Sequence, residues 1–378
     1  MIEKLKKYRR ELHKIPEVGF KEYKTSNFIK QQLKMLNIEY KEIANTGVVA
    51  FIKGEDDFTI AFRADMDGLA INEENDFDYK SEHKGFMHAC GHDFHMALLL
   101  GLADYFSKNE PPCNLLLIFQ PAEEGGGGAL KMMHENIFNL FKKPDLIFGL
   151  HVYPEFKYDE IAFVKGAAWA GSCEFEIELS TKGGHGAQPH TSTDLLFIFS
   201  QFYIAIQALL SRKKDIKELA LVTIGKLTGF DIPNVLTGNA KIGGTFRFFS
   251  ENTYRFLNSS ICSLLDGLKT SYDFNYLYKE KSVYLPIIND EKISENLKNI
   301  VSKSKYPGFK LVDTSTVMIS DDFSYFLNKI PGIYFFLGVK TKENQKLHTP
   351  DFNPDENALE TGFNLYKFLI ENYKNLLQ

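Results

Sequence analysis

Residues 114–128 read NLLLIFQPAEEGGGG. A short apolar run bounded by polar or turn residues suits a strand buried on both faces. This one delivers Glu123 and Glu124 to its carboxyl end, and the four glycines that follow let the backbone approach closely. Two other short apolar runs finish in the same style. TIAFRADMDG (59–68) ends in Asp65 and Asp67, and DLIFGLHV (145–152) ends in His151. In open α/β sheets, ligands bind outside the carboxyl ends of the strands. Three such endings in succession would put two Asp, two Glu and one His on one rim of one sheet.

Working outward, a fourth apolar run covers 47–52, and helical spacing marks 2–13, 25–36, 95–106 and 129–141. Strands alternating with helices predict an α/β domain with a mostly parallel sheet sandwiched by helices. Near residue 173 the pattern changes to strict alternation, CEFEIEL (173–179), as in a half-exposed strand. A helix at 194–211, strands near 219–227 and 239–248, a helix at 251–269 and a strand at 275–278 follow. That order is close to β-α-β-β-α-β, an α+β ferredoxin-like sandwich. After residue 286 the α/β style returns, with a strand at 333–337 and a C-terminal helix. The expected organisation is one domain from 1–172 and 287–378, interrupted by an inserted domain, 173–286.

The 378 residues carry a net charge of −5. This argues against nucleic acid as partner, because such a surface needs a basic stripe. The N-terminus lacks the apolar core of a secretory signal, and no apolar run approaches the ~20 residues that cross a bilayer. A cytoplasmic location with no membrane partner follows by default. Four scattered cysteines are too few for a disulfide framework.

The densest chemistry is MHACGHDFHMA (87–97), which holds His88, Cys90, His92, Asp93 and His95. Cys and His are good ligands for zinc, cobalt, nickel or manganese. A tight turn at Gly91 lets Cys90 and His92 point at one ion. The weaker alternative is a helix N-cap at Asp93 with incidental histidines. Metal-assisted hydrolysis needs a carboxylate ligand and a general base, and Glu123 with Glu124 can supply both, in an order the sequence leaves open. KGGHGAQPH (182–190) places His185 in a glycine-rich turn. KIGGTFRFF (241–249) places Arg247 near a strand end, where a guanidinium can clamp a carboxylate. KLHTPDFNPDE (346–356) places His348 in a proline-flanked loop.

Together these stretches resemble the metallo-amidohydrolases of the aminoacylase and carboxypeptidase superfamily. The branch is the one with the CGHD motif: hippurate hydrolases, auxin-conjugate hydrolases and N-acetyldiaminopimelate deacetylases. The likeness also takes in RRELHKIPEVGFKEYKT (9–25), DDFSYFL (321–327) and NPDENALE (353–360). SEHKG (81–85) and NPDENALE most resemble the deacetylases. The resemblance implies a dinuclear-metal exopeptidase fold with an inserted lid domain. It implies two divalent ions, of Zn, Mn, Co or Ni, held by Cys90, His92, Glu124, His151 and His348. Glu123 would be the general base, and Asp65 and Asp67 share the catalytic role given to an Asp of the RADMDG segment. Two residues on a strand at that spacing share a face. His185 would polarise the scissile carbonyl, and Arg247 and Asn234 would hold the carboxylate end of an N-acyl amino acid.

The implied reaction removes acetate from N-acetyl-L,L-diaminopimelate, a step towards lysine. A general hippurate- or aminoacylase-type hydrolase is the alternative, followed by a Cys90 thiol enzyme and a non-catalytic metal or amino-acid binding protein. By analogy, the lid domain would also pair two copies into a homodimer. Three positions depart from the family pattern: Gly186 after His185, Thr349 after His348, and Asp321 or Asp322 where a Glu is usual.

Overall fold

The computed structural model describes residues 1–305, 307–343 and 346–378, and the chain forms two compact units. The first comprises Met1–Ala168, Ile288–Thr316 and Asp322–Gln378; the second comprises Trp169–Ile287 and Val317–Asp321.

The first unit is built on an eight-stranded sheet. Its order is Glu39–Ile43, Gly47–Ile52, Cys113–Gln120, Asp56–Asp65, Leu146–Tyr153, Gly332–Gly338, Glu160–Ala162, Lys310–Val312. The four strands from Cys113–Gln120 to Gly332–Gly338 run parallel, and Gly47–Ile52 lies antiparallel beside them. Cys113–Gln120 is buried at every position and Leu146–Tyr153 at all but its last. A parallel strand covered on both faces needs such a run of apolar side chains. Register aligns the carboxyl ends: Asp65 pairs with Gln120 and Arg63 with Gly149. The loops carrying Asp67, Glu123 and His151 therefore leave the sheet side by side.

Helix His92–Phe106 is buried along nearly its whole length and packs against Ile2–His13 and Ala358–Glu371. It begins three residues earlier than the apolar spacing predicts, because His92, Asp93 and Phe94 are buried in its first turn. The helix predicted over 129–141 is shorter. It spans Gly128–His134, and Asn136 then enters the left-handed region at φ 58° before a 3-10 turn at Ile137–Asn139. Asn tolerates that conformation and ends helices there.

The second unit has a four-stranded antiparallel sheet in the order Ala220–Thr228, Asn239–Phe248, Gly171–Ser180, Asn275–Tyr284. With helices Leu195–Arg212 and Glu251–Ser271 this is the β-α-β-β-α-β arrangement. Both helices start on side-chain caps: Asp194 accepts from the Leu196 and Phe197 amides, and Ser250 accepts from the Thr253 amide. Cys173, Phe175, Ile177 and Leu179 form one face of their strand and pack with Leu195, Ile198, Phe202 and Ile206 in a single core. Leu195–Arg212 is long and apolar enough by composition to cross a membrane. The sequence reading, which sought a longer run, passed over it. Here its buried stripe faces the sheet, while Leu196, Phe197, Tyr203 and Ile204 are exposed. The late segment Val317–Asp321 joins this unit where the Ala170 amide donates to the Val317 carbonyl (3.0 Å).

Candidate metal centre

Gly91 makes the centre locally. Its φ is +80°, and a Cβ there would stand 2.4 Å from Val152 Cγ2, so only glycine fits. The left-handed turn caps helix His92–Phe106 and aims Cys90 and His92 into the same space. Cys90 Sγ lies 3.3 Å from His151 Nε2 and 3.2 Å from His348 Nε2, and His348 Nε2 lies 3.1 Å from Glu124 Oε1. His348 comes from the far end of the chain. Its amide donates to the Ala89 carbonyl (2.9 Å), and its own φ is +60°. Ala122, just before Glu123, is also left-handed, at φ 52°. Non-glycine residues in this region cost about 1–3 kcal/mol and persist only where the surroundings enforce them. Two of them flank one cluster.

The rings are oriented from behind. His92 Nδ1 donates to the Asp67 carbonyl (2.9 Å), and His151 Nδ1 donates to the Val152 carbonyl (2.8 Å). Both bonds fix the ring so that Nε2 is the atom turned towards the cluster. His92 Nε2 is buried without a hydrogen-bond partner, with Asp65 Oδ2 3.7 Å away. Among the described residues, four groups that include Cys90 or His92 satisfy metal-ligand proximity: Cys90–His92–His151, Cys90–Glu124–His348, His92–Glu123–Glu124 and Asp65–His92–His95. The five residues expected to be ligands, together with Glu123, thus converge.

Charge argues in the same direction. Burial pushes the Cys90 thiol well up, and Glu124, Glu123 and Asp65 push it further. Burial opposes a charged His92, but Asp65, Asp67 and Glu124 outweigh it and lift His92 to about 10. Burial, reinforced by His95, holds His151 down to about 3, so it is neutral. The pocket has an excess of acid and an orphaned ring nitrogen. Positive charge is what it lacks, and nitrogen, sulfur and carboxylate donors suit a borderline divalent ion.

Asp65 and Asp67 do not share a strand face as the spacing predicts, because the strand ends at Asp65. They flank His92 on opposite ring nitrogens instead. Asp65 is also tied to His95 Nδ1 (2.6 Å) and to Arg63 Nη1 (2.6 Å). Asp67 accepts the Glu123 and Glu124 amides at 3.2 and 3.0 Å. Sequence reading missed Arg63 altogether. It is fully buried, bonding Gln120, Asp65 and Asp322 beneath the cluster. In the sequence His95 stands out only as one histidine of a dense run. His95 Nε2 accepts the Val152 amide (3.0 Å), which ties the His151 strand to helix His92–Phe106. Asp322 accepts from Arg63, Gln120 and the Ala129 amide, so it is a strut of this floor.

On the second unit, the short strands Gly184–His185 and Val235–Leu236 pair, and the Gly186 amide donates to the Asn234 carbonyl (2.8 Å). His185 and Asn234, 49 positions apart, are thereby adjacent, and the His185 ring is exposed. Arg247 is half-buried, with Nη1 donating to Ser320 Oγ (2.8 Å).

A family model described as Peptidase family M20/M25/M40 matches residues 61–372. A Bacillus velezensis protein called N-acetyldiaminopimelate deacetylase is 36% identical over 379 residues, covering 99% of each chain. A Geobacillus protein of the same name is 37% identical, covering 96% of this chain and 95% of that one. Among solved structures, the Bacillus subtilis YXEP protein, a dinuclear metal binding peptidase from the M20 family, superposes with a TM-score of 0.83. It is 28% identical, with 98% and 97% of the two chains covered.

Proposed function

The chain belongs to Peptidase family M20/M25/M40, and on that footing we propose that it is a metal-dependent amide hydrolase that converts N-acetyl-L,L-diaminopimelate and water to L,L-diaminopimelate and acetate. The observation that carries the reading is the meeting of Cys90, His92, Glu124, His151 and His348 beside Glu123. Full-length likeness to two deacetylases supports the choice of substrate.

In this reading the five residues hold two divalent ions of Zn, Mn, Co or Ni type. Bound ions would polarise the amide oxygen and acidify water. Glu123 takes the proton from the attacking water and returns it to the leaving amine, which restores the base for the next cycle. Asp67 keeps Glu123 in reach by holding its amide and fixes His92 through its carbonyl. Asp65, secured by Arg63 and His95, keeps negative charge behind His92. His185 polarises the carbonyl, and Arg247 with Asn234 holds the amino-acid carboxylate.

The 1–172 and 287–378 portions form the catalytic domain in this reading, with 173–286 as lid. Two copies pair through the lid. The apolar residues Leu196, Phe197, Tyr203 and Ile204 and the unpaired edge of strand Ala220–Thr228 support that pairing, and light scattering measures it. A cytoplasmic setting suits four free cysteines, three of them buried.

The test is acetate release from N-acetyl-L,L-diaminopimelate and a panel of N-acyl amino acids, before and after chelation. Fastest turnover of the diaminopimelate substrate, lost with the metal and restored by it, is expected. Preference for benzoyl amino acids would reassign the substrate, and full activity after metal removal would overturn the mechanism.

A further inference from the structure

The stretch RRELHKIPEVGFKEYKT (9–25) precedes the residues that the family model matches, and none of its side chains enters the reaction above. Yet it reaches three of the segments that carry the centre. Arg9 and His13 bond Asp93, next to His92, both at 2.8 Å. The Glu17 carbonyl accepts the Gly68 amide (2.7 Å), next to Asp67. Glu22, fully buried, accepts the Ala122 amide (2.8 Å), next to Glu123.

We propose that Glu22 is a positioning residue for the Glu123–Glu124 pair, an inference that rests on the roles given to that pair above. Three consecutive amides are held by buried carboxylates. Ala122 is held by Glu22, and Glu123 and Glu124 are held by the two oxygens of Asp67. Ala122 is the left-handed residue of the three, so its peptide has an easier conformation to relax into once released. Its carbonyl is secured too, by the Gly128 amide (3.0 Å). A Cβ on Gly19 or Gly126 would come within 2.8 or 2.5 Å of the Ala122 Cβ, so the residue is enclosed on both sides.

Glu22 is also free of the duty its position suggests. It is the N-cap residue of helix Tyr23–Met35, where an acidic side chain ordinarily accepts helix amides. Glu17 Oε2 does that instead, accepting from Lys24 and Thr25 at 2.8 and 3.1 Å. Glu22 turns away, with Oε1 on Ala122 and Oε2 accepting from Thr46 Oγ1 (2.5 Å). The Thr46 bond fixes the direction from which Glu22 grips the loop.

Glu135 provides an internal control. It accepts the amide of Ala44, another left-handed residue, at 2.8 Å, and has no hydrogen bond to the Glu123–Glu124 loop. The experiment compares wild type with Glu22→Gln, Glu22→Asp, Glu22→Ala and Glu135→Ala. It measures kcat and KM on N-acetyl-L,L-diaminopimelate, bound metal, Tm, and amide exchange of the peptide covering 120–126 in metal-free protein. Glu22→Gln keeps an acceptor for Ala122 and retains most of the rate. Glu22→Asp, one methylene short, and Glu22→Ala lower kcat by about ten- to a hundredfold with KM within about twofold. Metal content is unchanged in both, and exchange at 122–124 is faster. Glu135→Ala keeps wild-type kcat.

Unchanged kcat and exchange in Glu22→Asp would overturn the proposal. So would a fall in kcat that tracks Tm equally in Glu22→Ala and Glu135→Ala. If wild type released no acetate, the functional reading would fall, while the exchange comparison would still decide whether Glu22 holds the loop.

Discussion

Cys90 Sγ and His348 Nε2 stand 3.2 Å apart, although 258 positions separate the two residues. No local preference of either segment produces that contact. It comes from the loop at 346–356 laying its backbone on the Cys90 segment, with the His348 amide on the Ala89 carbonyl. His348→Ala removes one of five proposed ligands. Loss of residues that merely orient ligands weakens metal affinity by about 10–100-fold, so a decrease at least that large is expected. Elemental analysis after dialysis against a graded chelator series measures it; wild-type retention would remove His348 from the ligand set.

Glu123→Ala separates base from ligand. Turnover should fall by about 10²–10⁴-fold while metal stoichiometry stays at the wild-type value. Loss of metal instead would exchange the roles of Glu123 and Glu124.

Gly91→Ala adds one methyl group. It forces a φ of +80° on an alanine and drives Cβ to 2.4 Å from Val152 Cγ2. The backbone conformation alone costs about 1–3 kcal/mol, so Tm should fall. Metal content should fall as well, because Cys90 and His92 diverge when the turn opens. A Tm equal to wild type would contradict the geometry.

His13 makes stability depend on pH. Burial opposes its charged form, and Arg9 does too, but Asp93 and Glu73 outweigh both and raise it above the ordinary 6.5. A group raised in the folded state contributes fully below its unfolded value and loses that contribution as pH rises through the folded one. The Tm advantage of wild type over His13→Asn, in metal-free protein, should therefore be greatest below about pH 6.5 and shrink above it. A gap that widens with pH would contradict this.

Much of the site was legible because metal chemistry demands unusual residues. Cys90 and His92 around one glycine, or two glutamates at the end of a buried run, have few bland explanations, so spacing alone located them. Arg63 was invisible for the opposite reason. In sequence it is one cation inside an apolar strand, and only the fold brings Gln120 within 2.8 Å and Asp322 within 3.0 Å of its guanidinium. The helix over 129–141 failed through a local cause: apolar spacing continued past Asn136, whereas the backbone turned left-handed there. The Leu195–Arg212 helix shows a third kind of blindness, since its composition says apolar and only packing says which stripe is covered.

The junction of His348 with the Ala89–Cys90 backbone also orders events in time. On the ribosome, the stretch that contributes Cys90, His92, Glu124 and His151 emerges well before the loop bearing His348. With the ligands proposed above, a nascent chain holds only an incomplete grip on an ion until that loop has emerged. Since ion binding and folding share one free energy, the metal would act as a late latch, and a chain truncated before that loop would be left without it.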